Sequence, residues 1–273
     1  MHIKKSDLVL EIGSGDNPNS RADILCDRYL TQNIERAGGF YIRVDRPFVV
    51  CDGYKLPFAD QSFDYVICSH ILEHMDRPEK FLAEVMRVGK AGYIEVPTAL
   101  SERLFGWHFH HWYIEKKGRQ LTLRQKSQGE RFGGFFHHLI ADTIWFRRFF
   151  EDHENVFYLR TEWNDRSPMS IIRKSVQPAW TVALDRRIDR LLAKAKPEFL
   201  ADLQFYFQWM ARRLEKKIKK EIRRFLWGQG AAFPFEKLRC IVCHERVYRG
   251  GDVLKCTYCG KEYKMDGVIP ILL

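Results

Sequence analysis

A short glycine loop near the start of the chain carries acidic side chains on both sides of its glycines. It lies in the stretch VLEIGSGDNP, residues 9–18, where Glu11 precedes Gly13 and Gly15 and Asp16 follows them. A dinucleotide-binding loop has a third glycine three residues further on, where this chain has proline, and it leaves bare N–H groups for a pyrophosphate. Two carboxylates would repel a pyrophosphate, but they suit a ligand that carries an ammonium and a sulfonium group. The loop therefore predicts S-adenosylmethionine as the cofactor.

Further acids stand where the next predicted strands end. Asp27 closes the second strand and is predicted to accept the ribose hydroxyls, whereas Asp52, followed by Gly53, closes the third and is predicted to bind the adenine amino group. Asp45, in RVDRP, competes for either position. Acids at strand ends are also ordinary turn residues, but chance does not readily place all of them at the right strands. The predicted cofactor-binding set within the loop is completed by Ser14 and Asn17.

Four cysteines near the end of the chain form two CxxC pairs. Twelve residues separate Cys240 and Cys243 from Cys256 and Cys259. Four thiolates at this spacing close a tetrahedral site around one zinc ion and leave no position for a substrate. A segment of about forty residues also has too small a core to fold without such a link. We therefore predict structural zinc, with a redox or iron–sulfur site as the alternative.

Histidines are the candidate bases. The methyl group of the cofactor is already activated, but a weak nucleophile such as a hydroxyl needs a base. His74 and His111 are predicted to be catalytic, although His74 can also act as a capping or packing residue. The further candidates are His70, His108 and His110. The histidines of HFHHWY, residues 108–113, are interpreted as a substrate wall, and a metal site is the alternative.

Strand-like and helical segments alternate between residues 8 and 98. The predicted strands are LVLEI, ADILCD, FVVCD, FDYVICS and AGYIEVP, at residues 8–12, 22–27, 48–52, 63–69 and 91–97. Before the last strand, Asp76 and Pro78 predict an N-cap and a first helical turn, and apolar residues follow at helical spacing. The pattern is typical of an α/β protein with a doubly wound parallel sheet. Ligands of such sheets bind beyond the carboxyl ends of the strands, where the loop and the acids lie.

The rest of the chain divides into further predicted segments. Residues 1–176 are the cofactor-binding domain, in which the aromatic stretch 99–150 forms a substrate lid with a short strand at 121–126. Two strands at 155–163 and 167–174 are predicted to finish the sheet as an antiparallel pair. A basic region at 177–230 contains two helices split at Pro197 and a linker at 228–232. The zinc domain takes residues 231–273.

The positive charge of the chain is concentrated in one region. The 273 residues carry a formal charge of +10, and between Leu184 and Trp227 thirteen Lys or Arg stand against six Asp or Glu. This basic region predicts contact with RNA phosphates or with an anionic membrane surface. The alternative is a charged helix face that contacts only solvent. No apolar run reaches the roughly eighteen residues of a membrane span, and the early glycine loop leaves no room for a signal peptide. We therefore expect a cytoplasmic protein, with peripheral membrane contact left open.

Residues 8–98 resemble the class I, type-11 S-adenosylmethionine-dependent methyltransferases. The resemblance rests on VLEIGSGDNP, on CDGYKLPFADQSFDYVICSHILEHMDRP and on FLAEVMRVGKAGYIEVP. It implies a Rossmann-like sheet of seven strands and adds Ser69 and His70, after the fourth strand, to the cofactor contacts. One departure is a short first helix, since Asp27 follows Glu11 by only sixteen positions. Asp45 therefore remains an alternative ribose ligand.

Residues 238–273 resemble the small zinc-ribbon activator subunit of tRNA, rRNA and translation-factor methyltransferases, as far as the closing DGVIPILL. That subunit stabilises its catalytic partner by covering apolar surface and adding a strand. The resemblance implies that this chain supplies the activator in cis.

The sequence thus predicts a methyltransferase with a helical basic cap and a C-terminal zinc ribbon. We expect O-methylation of a small-molecule, glycan or lipid-linked acceptor. Methylation of tRNA or rRNA is the first alternative, and a non-catalytic scaffold that binds S-adenosylmethionine is the second.

Overall fold

The computed structural model describes residues 1–30, 42, 44–126, 133–227 and 233–273. The predicted linker at 228–232 lies outside these residues. Side chains are described up to Lys219 in the last long helix, and again at Glu221 and Ile222. Among the described helices, none has the length and apolar content needed to cross a membrane.

Five parallel strands form the centre of the molecule. They are β1 (Val9–Ile12), β2 (Ile24–Asp27), β3 (Phe48–Cys51), β4 (Tyr65–Ser69) and β5 (Ala91–Pro97), and they pair in the order β3-β2-β1-β4-β5. Their apolar side chains are buried on both faces, as parallel sheets require. Alternate residues such as Leu10 and Cys26 belong to the largest core cluster, whereas Val9 and Leu25 belong to the opposite face. The predicted α/β sheet is confirmed.

The connections differ from the expected ones at two points. No helix lies between β1 and β2, because residues 13–23 form turns, so the expected short first helix is wrong. Pro18 and the two glycines in this stretch are poor helix formers, which explains the result. Helix α1 (Pro78–Val88) connects β4 to β5 as predicted and buries Phe81 and Val85. Its N-cap is Arg77 instead of the predicted Asp76.

The lid region contains helices and a second sheet. It comprises α2 (Ala99–Phe105), β6 (Trp112–Lys117), β7 (Gln120–Gln125), α3 (Gly133–Asp142), α4 (Ile144–Asp152) and α5 (Glu154–Phe157). Thr98 caps α2 by accepting a hydrogen bond from the Ser101 amide at 3.1 Å. The helices share an aromatic core around Phe105, Phe146 and Phe157. The predicted strand at 121–126 corresponds to β7.

The prediction that two antiparallel strands finish the main sheet is wrong. β8 (Tyr158–Asn164) pairs antiparallel with β5, but β9 (Ser170–Lys174) leaves the main sheet and pairs parallel with β7. Between them only one isolated bridge forms, from Asn164 to Ser167. Apolar alternation identifies a strand but not its partner, and β7 offers a free edge at which Ile171 faces Leu121.

The basic region forms two helices, α6 (Pro178–Leu192) and α7 (Phe199–Trp227), and Pro197 lies between them as predicted. Pro178 is the first residue of α6, where a missing N–H costs nothing. Leu184, Ile188 and Leu191 of α6 join the aromatic core of the lid. Helix α7 contacts α4 but leaves much of its apolar side exposed.

The C-terminal segment extends the main sheet. Its strands are β10 (Val247–Gly250), β11 (Val253–Cys256), β12 (Glu262–Asp266) and β13 (Ile269–Leu272). β13 pairs parallel with β3, with Ile271 opposite Val50. In the described residues the sheet therefore has ten hydrogen-bonded strands, not the expected seven, and only six of them come from the first 176 residues. Leu238, Leu254 and Leu272 share one core cluster with the parallel strands.

Candidate active site

The glycine loop follows β1 and has the backbone that its glycines were expected to provide. Gly13 and Gly15 have φ angles of +69° and +54°, in the left-handed region that favours glycine. A Cβ atom on Gly13 would lie 2.0 Å from Ile71 Cδ1, so a side chain would displace either the loop or the segment after β4. A Cβ atom on Gly15 would meet nothing within 4 Å, because this residue faces open space. Gly13 thus allows the loop to pack closely against Ile71, and Gly15 leaves the loop backbone exposed.

The predicted acids stand around this loop. The buried Glu11 carboxylate accepts a hydrogen bond from the Asn19 amide at 2.7 Å, which ties the loop back to β1. Asp27 accepts a 3.4 Å hydrogen bond from the Gly15 amide. Asp52 accepts a 2.8 Å hydrogen bond from the Tyr54 amide. These contacts hold each carboxylate at the carboxyl end of its own strand.

Asp45 has a different environment. Its two carboxylate oxygens accept hydrogen bonds from Arg46 Nε at 2.7 Å and from Arg46 Nη2 at 3.1 Å. Both side chains are nearly buried, with 4 % and 2 % exposure for Asp45 and Arg46. The same guanidinium donates to the Asn19 and Ala22 carbonyls, each at 2.8 Å. The pair therefore joins the segment before β3 to the loop after β1.

One cleft collects all the predicted cofactor-binding and catalytic residues. Its volume of about 1490 Å³ exceeds the several hundred cubic ångströms of a typical single-ligand pocket. The predicted residues that line it are Glu11, Gly13, Ser14, Gly15, Asn17, Asp27, Asp45, Asp52, Gly53, Ser69, His70, His74 and His111. Within the loop, Ser14 Oγ is buried and makes no hydrogen bond to the described residues. A polar group in this state fits a ligand that supplies the missing partner.

His70 is placed between two carboxylates in the cleft. Its φ angle is +57°, and its Nδ1 and Nε2 lie 3.3 Å and 3.4 Å from Glu73 and Glu95. Partial burial alone would lower the pKa of the imidazole, but the two carboxylates outweigh it and raise the pKa to about 10. At neutral pH the ring is therefore a cation, so it can orient an anionic or polar group but cannot act as a base.

Glu95 is held in turn by neighbouring side chains. Burial alone would raise its pKa, but hydrogen bonds from His70, Tyr93 and Arg160 lower it to about 2. The Tyr93 hydroxyl and Arg160 Nε each lie 2.5 Å from Glu95 Oε2. This carboxylate at the end of β5 is therefore ionised and fixes His70 from the side opposite to Glu73.

His74 and His110 meet at the inner wall of the lid. Their ring centroids are 4.6 Å apart, and His74 also stacks on Phe109 at 5.5 Å with planes 13° apart. The His110 ring is buried, and its Nδ1 lies 2.7 Å from Glu102 Oε2. Glu102 is paired on its other oxygen with Lys126 Nζ. A chain of polar side chains thus leads from the cleft into the lid.

His111 stands further out. Its Nε2 lies 3.5 Å from Asp76 Oδ1, and both side chains are partly exposed. Its backbone N–H donates to the Glu73 carbonyl at 2.8 Å, which joins the lid to the segment after β4. A histidine beside an exposed carboxylate and open to the cleft has the environment of a proton acceptor.

Sequence reasoning missed the acids of this half of the cleft. Glu73, Glu95 and Glu102 were not singled out, and neither was Lys126. Glu95 stands in EVP near the end of β5, which was a signal of the kind used for Asp27, whereas Glu73 stands in LEH, in the 3₁₀ helix that follows β4. Glu102 and Lys126 lie on α2 and just after β7, and no local pattern connects them.

The four cysteines converge as their spacing predicted. Their sulfur atoms all lie within 4.8 Å of one another, with Cys240 and Cys259 3.6 Å apart and Cys243 and Cys256 3.4 Å apart. Four sulfurs bound at about 2.3 Å around one tetrahedral zinc ion are about 3.8 Å apart, so the cluster fits that ion. His244 and Gly260 directly follow the two CxxC pairs and have φ angles of +61° and +72°. The two pairs therefore form similar turns.

Basic side chains of α7 line the same cleft. They belong to Arg212, Arg213, Lys216, Lys217 and Lys219. Arg212 is paired with Glu151 at 3.0 Å and Lys219 with Glu215, so part of the charge is compensated. The remaining positive charge faces a cleft whose other wall carries the loop acids.

The chain resembles known methyltransferases over part of its length. Residues 27–94 match the family model described as a methyltransferase domain. The demethylmenaquinone methyltransferase of Thermobifida fusca is 32% identical over 118 residues, which cover 37% of this chain and 50% of the relative. The ubiquinone/menaquinone biosynthesis C-methyltransferase UbiE of Desulfotalea psychrophila is 49% identical over 91 residues, with 31% and 37% covered. The chain thus spans about half or less of the length of these relatives.

Solved structures give a weaker likeness. The complex between the Trm112 methyltransferase activator of Haloferax volcanii and a methyltransferase matches 42% of this chain and 65% of the solved one, at 18% identity and a TM-score of 0.31. A methyltransferase from Thermotoga maritima matches 34% and 45%, at 20% identity and a TM-score of 0.26.

Proposed function

We propose that this chain is an S-adenosylmethionine-dependent methyltransferase. The observation that carries the proposal is that Glu11, Asp27 and Asp52 stand at the ends of three adjacent strands and line one cleft with the glycine loop. The methyltransferase-domain match at residues 27–94 begins with Asp27 and includes Asp52, and it supports the same conclusion. A pyrophosphate cofactor is disfavoured by the three carboxylates.

Each part of the cleft has a place in this proposal. Glu11 and the loop would hold the amino acid part of the cofactor, Asp27 the ribose, and Asp52 with Gly53 the adenine. Ser69 and His70 would close the cleft from the β4 side. The bound cofactor supplies an activated methyl group. The protein then has to align the acceptor and exclude water, which the aromatic lid can do.

Calorimetry with S-adenosylhomocysteine tests the cofactor assignment. We expect binding with one site per chain and a loss of affinity of roughly 10- to 100-fold in Asp52→Ala, because a charged hydrogen-bond partner is removed. Asp60→Asn is the matched control, since Asp60 is exposed and pairs with Arg87 outside the cleft. Tight binding of NAD, or equal affinity in both variants, would overturn the assignment.

Asp27 is proposed as the ribose ligand in preference to Asp45. The carboxylate of Asp45 is engaged at both oxygens by Arg46 and is nearly buried. Asp27→Asn should therefore weaken S-adenosylhomocysteine binding by at least about tenfold. Asp45→Asn should mainly lower stability, because it leaves the buried Arg46 without its charge partner. The reverse pattern in calorimetry and thermal melts would assign the ribose to Asp45.

For the acceptor we propose a hydroxyl on a small-molecule, glycan or lipid-linked compound, with His111 as the base. The lid presents flat apolar surface to the cleft, since Trp107 and Phe109 stack at 5.4 Å with planes 13° apart. His111 reaches the cleft beside Asp76, whereas His74 is held between Phe109 and His110. Methyl transfer should therefore fall in His111→Ala with S-adenosylhomocysteine binding retained.

Helix α7 supports an acceptor held at an anionic membrane surface. Leu203, Phe207, Met210, Leu214 and Ile218 lie along one side of the helix and are all exposed. Lysines and arginines interleave with them, as in helices that lie in a membrane interface. The relatives named above act, by their names, on quinone precursors or in quinone biosynthesis.

Methylation of tRNA or rRNA is the second candidate, because the basic side chains of α7 line the cleft itself. Radiolabelled methyl transfer into a lysate fractionated into lipid, glycan, RNA and protein separates the two. Label in the lipid or glycan pool, with liposome co-sedimentation lost on neutralising Arg213, Lys216 and Lys217, supports the first proposal. Label in RNA with steep salt dependence favours the second. Cofactor binding without transfer into any pool would point to a scaffold.

We also propose that the cysteine cluster holds structural zinc. The sulfur separations fit one tetrahedral ion, and Val242 and Tyr258 donate their N–H groups to Cys240 and Cys256 at 3.4 Å. Elemental analysis should give one zinc ion per chain. A stable, folded protein without metal would refute the proposal.

A further inference from the structure

A second group of metal-ligand side chains lies at the inner end of the cleft. Glu73, His74 and His110 each bring one donor atom to within 4.8 Å of the other two. Glu73 and His74 belong to the turn of 3₁₀ helix Leu72–His74 after β4, whereas His110 comes from the lid segment between α2 and β6. Two imidazoles and one carboxylate are a common ligand set for first-row divalent metal ions.

Glu73 has a buried carboxylate oxygen that is suited to a cation. The side chain is only 1 % exposed, and its Oε1 lies 3.3 Å from His70 Nδ1. The other oxygen, Oε2, is buried and makes no hydrogen bond to the described residues. A buried carboxylate oxygen without a donor is costly, and a bound cation removes that cost.

His110 is oriented as metal-bound histidines are. Its Nδ1 lies 2.7 Å from Glu102, whose other oxygen is paired with Lys126. A carboxylate at this distance holds the proton on Nδ1 and leaves the lone pair on Nε2, so a carboxylate, a histidine and a metal ion can follow one another in line. Lys126 Nζ pairs with the second oxygen of Glu102, so the carboxylate is held on both sides.

The cluster is closed towards the protein and open towards the cleft. His74 and His110 line the same cleft as Gly13 and Asp52, Glu102 reaches the cleft wall beside them, and Glu73 is buried behind them. Three protein ligands leave at least one coordination position free, which is the arrangement of catalytic metal sites and not of structural ones. A methyl acceptor bound in the cleft would lie beside His74 and His110, which line it.

We propose that Glu73, His74 and His110 bind a divalent metal ion whose open position takes an oxygen of the methyl acceptor. The second half of this statement rests on the proposed methyltransferase function, whereas the metal site does not. A metal-bound hydroxyl loses its proton more readily than a free one. The proton would pass to the solvent or to His111.

Manganese titration of protein loaded with one equivalent of zinc per chain, followed by electron paramagnetic resonance, tests the site, because a single equivalent of zinc fills the thiolate cluster first. Mn²⁺ prefers oxygen and nitrogen donors and competes poorly for a thiolate cluster. We expect one Mn²⁺ per chain, and affinity lower by at least about tenfold in His110→Ala and in Glu73→Gln. His74→Ala, in which the less buried ligand is lost, is the variant to use if either of these fails to fold. His108→Ala, an exposed histidine of the same lid segment, is the matched control.

The outcomes separate this proposal from the methyltransferase assignment. Saturable Mn²⁺ binding that survives in His108→Ala and is lost in the ligand variants supports the site, even if S-adenosylhomocysteine does not bind. No saturable binding in the wild type, or equal binding in all variants, overturns it, even if the cofactor binds. The binding of the acceptor oxygen by the metal is tested by methyl transfer. Protein treated with a chelator should regain methyl transfer when Mn²⁺ is added. Equal transfer with and without metal would overturn this part of the proposal.

Discussion

Two side-chain clusters among the described residues are suited to metal ions, and they are built in opposite ways. The cysteine cluster joins two CxxC pairs on one short hairpin segment, and all four of its ligands are soft thiolates. The Glu73, His74 and His110 cluster joins segments 36 residues apart and uses harder nitrogen and oxygen donors. The first has four ligands and no open position, whereas the second has three and faces the cleft.

The comparison indicates that the number of ligands and their location distinguish a metal site that stabilises the fold from one that takes part in a reaction. The cysteine cluster ties β10 and β11 to a segment whose last strand extends the main sheet, so losing its metal should affect stability. The histidine cluster is supported from behind by Glu102 and Lys126, and it should stay folded without a metal ion.

The largest effect is expected from breaking the closed cluster. Cys240 is fully buried and shares a core cluster with Cys51 of β3. Cys240→Ser should cost about 3 kcal/mol or more, which lowers Tm by about 6–12 °C in a chain of this size. Lys255→Ala, which removes only an exposed ion pair with Glu262, should change Tm by less than about 2 °C. Equal melting curves for the two variants would show that the cluster does not support the fold.

The order in which a chelator removes metals sharpens the comparison. The test is dialysis against EDTA of protein loaded with one equivalent of zinc per chain and then with Mn²⁺. The open cluster should lose its metal first because it has fewer ligands and faces the cleft, while one zinc ion per chain is retained. Tm should then change by less than about 2 °C. Simultaneous loss of both metals with unfolding would show that the two clusters are not different in kind.

A pair of supporting residues compares the two clusters directly. Glu102→Gln weakens the partner of His110 and should reduce Mn²⁺ affinity by about 10- to 100-fold. Tyr263→Phe removes the 3.0 Å contact between the Tyr263 hydroxyl and Cys240 Sγ. The closed cluster has four ligands, so zinc content in that variant should stay near one per chain. Unchanged Mn²⁺ affinity in Glu102→Gln would contradict the orientation argument for His110.

The smallest effect concerns the sheet away from both clusters. Partial burial alone would raise the pKa of Glu162, but hydrogen bonds from the His2 amide and the Tyr65 hydroxyl lower it to about 2. A lowered carboxyl pKa stabilises the fold fully above the ordinary value near 4.5, and this contribution is lost as pH falls towards 2. Glu162→Gln should therefore lower Tm by a few degrees, roughly 2–4 °C, at pH 7, and the difference should shrink below about pH 4.5. A Tm difference as large at pH 3 as at pH 7 would contradict the assignment.

Local pattern predicted most of the parallel sheet. The strands, the helix Pro78–Val88 and the break at Pro197 were placed because apolar spacing and proline act over a few residues. The partner of a strand is decided by which edge is free, so the sequence assigned Ser170–Lys174 to the wrong sheet. The strand count failed for the same reason, since Ile269–Leu272 reaches the main sheet from the far end of the chain.

The candidate site likewise has some features that local sequence predicted and others that only the folded chain shows. Spacing alone brought together the glycine loop and the four cysteines, because a turn or a CxxC pair is local. The pairing of Asp45 with Arg46 and the placement of His70 between Glu73 and Glu95 needed the folded chain. Helix α2 and the segment after β7 bring Glu102 and Lys126 to His110, and no periodicity in the sequence relates these positions.

The sequence by itself determined the α/β sheet, the acidic glycine loop and the two CxxC pairs, because each depends on neighbouring residues and on the character of their side chains. Only the tertiary structure decided that the C-terminal segment extends the sheet and that Glu73, His74 and His110 meet at the cleft. Their meeting depends on how the lid packs against the end of β4, and packing between distant segments leaves no periodic trace in the chain.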